Sequence, residues 1–183
     1  MPELGFHSIQ IEADDRVVLN VGSKFEVKGD MQVTNGVLML ASEDSSISLT
    51  IPKNHLKKVE ISSSVSSIEC NGIDADSIEI NACDRIKVSN VKAGEIYLGS
   101  EISSITIDGS EFGTARIEAY DRVKANIADF SEIGISSETS SVKFEFLKND
   151  LINSNEINKN VIQVGTEIVD PKIKEEFEKN TKK

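Results

Sequence analysis

The chain has 183 residues, 38% of them apolar and 5% aromatic, with no tryptophan and a formal net charge of −11. This is enough apolar material for one domain with a real core, and too much for a disordered tail. An acidic surface disfavours phosphate backbones and anionic membranes, and no apolar run approaches the ~20 residues of a membrane span, so neither nucleic acid nor membrane insertion is expected.

The charge is uneven. Residues 1–56 carry 4 basic and 8 acidic side chains, residues 57–147 carry 9 and 16, and residues 148–183 carry 7 and 7. Met1 to Gln10 lacks the basic stretch and apolar core of a secretory signal. The expected location is the cytoplasm, or the cell surface if a leader or anchor is encoded elsewhere. Residues 1–16 are expected to close the N-terminal end of the fold, with a short strand at Ile9–Ile11.

From residue 17 to 147 the chain reads as a stack of short coils. Leu19 and Val21, Met31 and Val33, Leu38 and Leu40, and Leu49 and Ile51 are apolar pairs of the kind that line a half-buried strand. Leu49 and Ile51 fit one coil before Ile68 and Cys70, and Met31 and Val33 one coil before that. From Val59 the repeat is clear, at a pitch of 18 or 19 residues. One column runs Ile68, Ile86, Ile105, Val123, Val142, and its companion runs Cys70, Val88, Ile107, Ala125, Phe144. The other strand gives Val59, Ile78, Ile96, Ala115, Ile133 and Ile61, Ile80, Leu98, Ile117, Ile135. A third inward position reads Ile73, Val91, Ser110, Ala128, Leu147, where Ser110 breaks the pattern.

A unit this short cannot bury its apolar face alone and must stack on its neighbours. The predicted fold is all-β: a single-stranded β-helix, or β-solenoid, with coils of 18–19 residues. Ser66-Ser67, Asp84-Arg85, Ser103-Ser104, Asp121-Arg122 and Ser140-Ser141 alternate on one corner. The true unit is therefore 37 residues, or two coils. Stacked like charges ~4.8 Å apart repel, and an intervening Ser separates them and can bond to the carboxylate. Ser66, Asp84, Ser103, Asp121 and Ser140 thus form a surface ladder.

Residues 148–183 read as a C-terminal cap. Asn149–Asn160 is a loop, Val161–Val164 a further strand, and a helix is predicted near 171–180 with Asp170 as N-cap and Pro171 at its first position. Ile173 and Phe177 share one face, suited to covering the open end of the stack.

Little chemistry is available. His7 and His55 sit in no metal-binding cluster, and no nucleophile elbow or phosphate loop occurs. No catalytic residue, metal or cofactor is expected. Cys70 falls in an apolar column and Cys83 among loop positions, which suits a reducing compartment. Carboxylates do gather: Glu60 and Glu79 share a column continued by Tyr97, Arg116 and Gly134, and Asp74 and Asp76 lie near Lys92, Glu95 and Glu111. Arg85, Lys87, Arg122, Lys124 and Lys143 form one basic stripe on an acidic chain, a candidate interaction face for an acidic partner.

The stretch from Ser45 to Phe146 resembles the adhesin-type β-solenoid domains of bacteria and archaea, whose function is unassigned. The resemblance rests on Ser-Ile-Ser-Leu-Thr-Ile-Pro-Lys at 46–53, on Leu56 to Ser64, and on the repeated Ser-Ile-x-Ile strands. It implies a stack of right-handed coils without catalytic residues. The chain is also similar, more weakly, to bactofilins, polymer-forming β-helices. The functional expectation is a non-enzymatic scaffold or adhesin-like solenoid presenting a repetitive surface to a protein or glycan. Two alternatives stand beside it. One is a self-assembling structural protein that forms homo-oligomers through coil ends or edges. The other is a carbohydrate-active enzyme using Asp74, Asp76 or Glu111.

Overall fold

The computed structural model describes residues 5–43, 45–139, 142–146 and 161–164. The predicted helix at 171–180, the loop at 149–160, Leu147, Ser140 and Ser141 lie outside them. The described residues form one 15-stranded sheet with no helix.

The strands are β1 (Ser8–Ala13), β2 (Val17–Gly22), β3 (Glu26–Lys28), β4 (Asp30–Thr34), β5 (Val37–Ser42), β6 (Ile47–Pro52), β7 (His55–Ser63), β8 (Ile68–Asn71), β9 (Asp74–Ala82), β10 (Ile86–Ser89), β11 (Lys92–Ser100), β12 (Ile105–Ala119), β13 (Val123–Ser137), β14 (Val142–Phe146) and β15 (Val161–Val164). They fall into two ladders. One runs β3-β6-β2-β8-β10-β12-β13-β14 and the other β4-β5-β1-β7-β9-β11-β12-β13-β15. β12 and β13 belong to both, because each runs from one ladder into the other. Every pairing is parallel except β3 with β6 and β4 with β5.

The expected columns are the registers observed. Ile68, Ile86, Ile105, Val123 and Val142 stand side by side, as do Ile61, Ile80, Leu98, Ile117 and Ile135. Their side chains are nearly all sealed from solvent and form one continuous core. Burying each such Ile or Leu contributes roughly 1.5–3 kcal/mol, which offsets the entropy of ordering the coil.

The N-terminal third differs from expectation. The expected closure of the end does not hold for β1: Ser8–Ala13 is an interior strand, paired to β5 on one side and β7 on the other. The coil made by β1 and β2 is thus inserted between the coil of β5 and β6 and that of β7 and β8. Ile47 and Leu49, not Leu49 and Ile51, continue the Ile68 and Cys70 columns, and they do so through Val17 and Leu19. Met31 and Val33 belong to no parallel coil. They lie on β4, which folds back on β5 through a two-residue turn at Asn35 (φ 52°) and Gly36 (φ 75°). Two successive left-handed residues are what a tight hairpin matched to strand twist requires. β3 and β4 are therefore the edge strands of this end.

Ser110 holds the inward position of its column, and the departure is at Ala128. Ser110 is fully buried, accepts a hydrogen bond from Val91 N–H (3.1 Å) and donates to the Asp108 carbonyl (3.2 Å). A register irregularity at this point sets Ile127, not Ala128, opposite it.

Candidate functional site

Two outward faces carry the charge that could act on another molecule. The first is a corner within the long strands. Inward residues normally alternate, but here two consecutive residues face out, as at Asp76 and Ser77 or Gly94 and Glu95, between buried Ala75 and Ile78 or Ala93 and Ile96. Such a pair turns the coil. Successive backbones approach so closely there that a Cβ on Gly94 would lie 2.7 Å from the Asp76 carbonyl oxygen, and one on Gly113 would meet the Gly94 carbonyl.

Along this corner His55, Asp74, Lys92, Glu111 and Asp129 occupy one register position in successive coils. His55 spans two carboxylates, with Nδ1 2.7 Å from Asp74 Oδ1 and Nε2 2.9 Å from Asp76 Oδ1. Only the doubly protonated ring donates both bonds. The hydrogen bond to Asp74, then that to Asp76, accordingly raises the His55 pKa above its ordinary 6.5. Lys92 Nζ lies 2.7 Å from Glu111 Oε2, a bond that raises the lysine's pKa. A shallow cleft opens here over Ala93 and Phe112.

Asp74, Asp76 and Glu111 are thus brought together as the sequence suggested, but each already holds a cation of its own chain. His55 was not expected among them. Its signal was the spacing: His55, Asp74, Lys92, Glu111 and Asp129 follow one another at 19, 18, 19 and 18 residues, the coil pitch. Glu95 faces out one step further along β11. The Glu60, Glu79, Tyr97, Arg116, Gly134 column is also as expected. On it the Arg116 guanidinium lies 5.8 Å from the Tyr97 ring centroid and bonds Glu118, and the Tyr97 hydroxyl donates to Glu118 (3.0 Å).

The second face is the basic stripe. Lys87, Thr106, Lys124 and Lys143 are register neighbours on the outer side of one ladder, with Arg85 and Arg122 two residues before Lys87 and Lys124. All five cations are exposed. Lys87 and Lys124 are two strand spacings apart, ~9.6 Å, and Lys124 and Lys143 one, ~4.8 Å. Among the described residues, Arg85, Lys87, Arg122 and Lys124 have no ion-pair partner, whereas Arg16, Lys58, Lys92 and Arg116 are each paired with a glutamate. Asp84 and Asp121, each next in sequence to one of these arginines, form no ion pair with them.

The corner ladder is stacked as expected, Asp84 N–H donating to the Ser66 carbonyl and Asp121 N–H to that of Ser103. What ties the coils there is different. The buried hydroxyls of Ser63 and Ser100 donate to the main-chain carbonyls of Asp15 (3.0 Å) and Asp84 (2.6 Å), and Ser137 does the same to Asp121. A Ser-to-carboxylate bond of the expected kind joins Ser46 to Asp15 (2.9 Å).

The Toastrack DUF4097 domain family matches residues 7–159, from just before β1 to beyond β14. The chain belongs to that family. The Toastrack family is uncharacterised, and its solenoid-like fold agrees with the stacked coils seen here. The match gives no support to the adhesin or bactofilin resemblance. No curated protein matches the chain.

Proposed function

We propose that this Toastrack domain is a non-enzymatic scaffold that docks an acidic partner on the face of Arg85, Lys87, Arg122, Lys124 and Lys143. The observation that supports this most directly is the gathering of four unpaired cations on one face of a chain whose net charge is −11. Arg16, Lys58, Lys92 and Arg116, by contrast, are held by neighbouring glutamates. Leaving four together without partners favours association with a negatively charged surface and repels other basic ones. The regular rise of the coils suits an extended acidic protein segment, read one carboxylate per coil or per pair of coils. Right-handed winding, the hand that parallel crossovers adopt, is part of the same reading.

The reading as a carbohydrate-active enzyme is less well supported. Asp74, Asp76 and Glu111 are engaged by His55 and Lys92, and a general acid needs a carboxyl free to hold and give up a proton. Assembly through coil ends remains compatible with docking, because the two use different surfaces.

The test is binding of poly-glutamate and of an anionic polysaccharide, followed by fluorescence anisotropy at increasing salt. Binding that weakens with salt and is lost in Arg85→Glu/Lys87→Glu/Arg122→Glu/Lys124→Glu supports the docking face. Wild-type protein that binds neither polymer, or reversal that leaves binding intact, overturns it. Preference for the polysaccharide would assign the face to a glycan.

A further inference from the structure

Among the described residues, the N-terminal end of the stack is left open. β4 pairs only with β5 and β3 only with β6, so among the described residues both have one unpaired edge. In an antiparallel pair, opposed residues share a face. Met31 stands opposite Leu40 and Val33 opposite Leu38, so Met31 and Val33 lie on the core side of the sheet. Leu38 and Leu40 are sealed, yet Met31 is 51% and Val33 47% exposed. β4 thus carries the core one strand beyond the last coil, and no described residue covers it.

The edge is lightly guarded. Its five residues, Asp30 to Thr34, include one charge, no lysine and no proline, and its ladder with β5 has no bulge. It is also self-complementary. Paired antiparallel with its own copy about Gln32, Met31 meets the partner's Val33, Asp30 meets the partner's Thr34, and Gln32 meets the partner's Gln32. No like charges oppose. β3 ends the other ladder at the same end of the stack.

We propose that a second copy of this chain closes the N-terminal end, β4 pairing antiparallel with the partner's β4 about Gln32. Met31 and Val33 of the two copies then pack together, and the two stacks become one continuous sheet. The interface is isologous, so it closes as a dimer and leaves the far ends and both basic faces free. It is independent of what the basic face binds.

Sedimentation of the full chain across a wide concentration series, combined with cysteine cross-linking in a Cys83→Ser background, tests this. The expected result is a reversible dimer that Met31→Lys/Val33→Lys converts to monomer with an unchanged circular dichroism spectrum. Gln32→Cys should give disulfide-linked dimers under mild oxidation. Thr34→Cys should not, because the two copies of residue 34 are then about 14 Å apart along the strands. If the double lysine variant does not fold, the two cysteine variants decide. A wild-type chain that stays monomeric overturns the proposal. So does a dimer in which residue 34 links and residue 32 does not. Dimerisation that appears only after removal of residues 1–4 or 165–183 also overturns it, by assigning the end to the chain's own termini.

Discussion

The Ser100 hydroxyl donates to the main-chain carbonyl of Asp84 in the adjoining coil, at 2.6 Å, and accepts the N–H of Ser103 at 3.3 Å. Ser63 makes the same two bonds to Asp15 and Ser66. Between them in the stack lies Ala82, flanked by Asp84-Arg85. Coils with a buried Ser and a Ser-Ser corner therefore alternate with coils carrying Ala and Asp-Arg. Replacing Ser100 by Ala puts Ala at this position in three successive coils and removes both bonds. The expected loss is about 1–2 kcal/mol, read as a lower urea midpoint with an unchanged slope.

This alternation explains the N-terminal rearrangement. Along the chain the order is broken, because Ser45-Ser46 and Ser66-Ser67 follow one another with no Asp-Arg coil between. In space it is restored. The coil with Ala13, Asp15 and Arg16 sits between the two Ser coils, where Ser46 and Ser63 both reach Asp15.

That order was legible, though pitch alone does not reveal it. Ala13-Asp14-Asp15-Arg16-Val17 matches Ala82-Cys83-Asp84-Arg85-Ile86 and Ala119-Tyr120-Asp121-Arg122-Val123 residue by residue. Counting back from Ile68 by the pitch assumes that each coil stacks on its predecessor in the chain. This holds from β7 onward and fails before it. The Asn35-Gly36 pair between apolar runs was the signal that β4 turns back as a hairpin. His55 was missed for the same reason, since it opens the first coil after the break. The core columns from Val59 onward were readable because period two and a fixed pitch act there together. The lack of ion pairs at Arg85, Lys87, Arg122 and Lys124 was not readable, because it depends on where the Asp84 and Asp121 side chains point.

Gly94 and Gly113 should be intolerant of any side chain. A Cβ at Gly94 meets the Asp76 carbonyl, a backbone atom that cannot rotate away, and Gly113 is tighter still. Gly134 has only the Ala115 carbonyl nearby, at 4.0 Å. Gly94→Ala and Gly113→Ala are expected to cost about 1–3 kcal/mol by forcing the coils apart. Gly134→Ala should cost little, and thermal melts of the three variants provide the comparison.

His55 gives the chain a pH dependence of definite sign. Its folded-state pKa is raised, so the bonds to Asp74 and Asp76 contribute fully below about 6.5, the unfolded value. They fade as pH rises through the higher folded value. The stability gap between wild type and His55→Gln should therefore be widest near pH 6 and close in mildly alkaline buffer. The ring resonances of His55 should titrate above 6.5, and Asp74→Asn should lower that midpoint. A midpoint below 6.5 would contradict the two-carboxylate clamp.

Cys70 stands between Leu19 and Val88 in a core column, and burial pushes its thiol up to about 12. It should resist alkylation in the native chain and react once urea unfolds it, whereas half-buried Cys83 should react first. Peptide mapping after brief iodoacetamide treatment separates the two.

The most direct test of the stacking order is a set of through-space amide contacts in isotope-labelled protein. Gln10 of β1 should contact both Met39 of β5 and Glu60 of β7, with Met39 and Glu60 ~9.6 Å apart and silent to each other. A direct Met39–Glu60 contact, with Gln10 at the edge of the sheet, would contradict it.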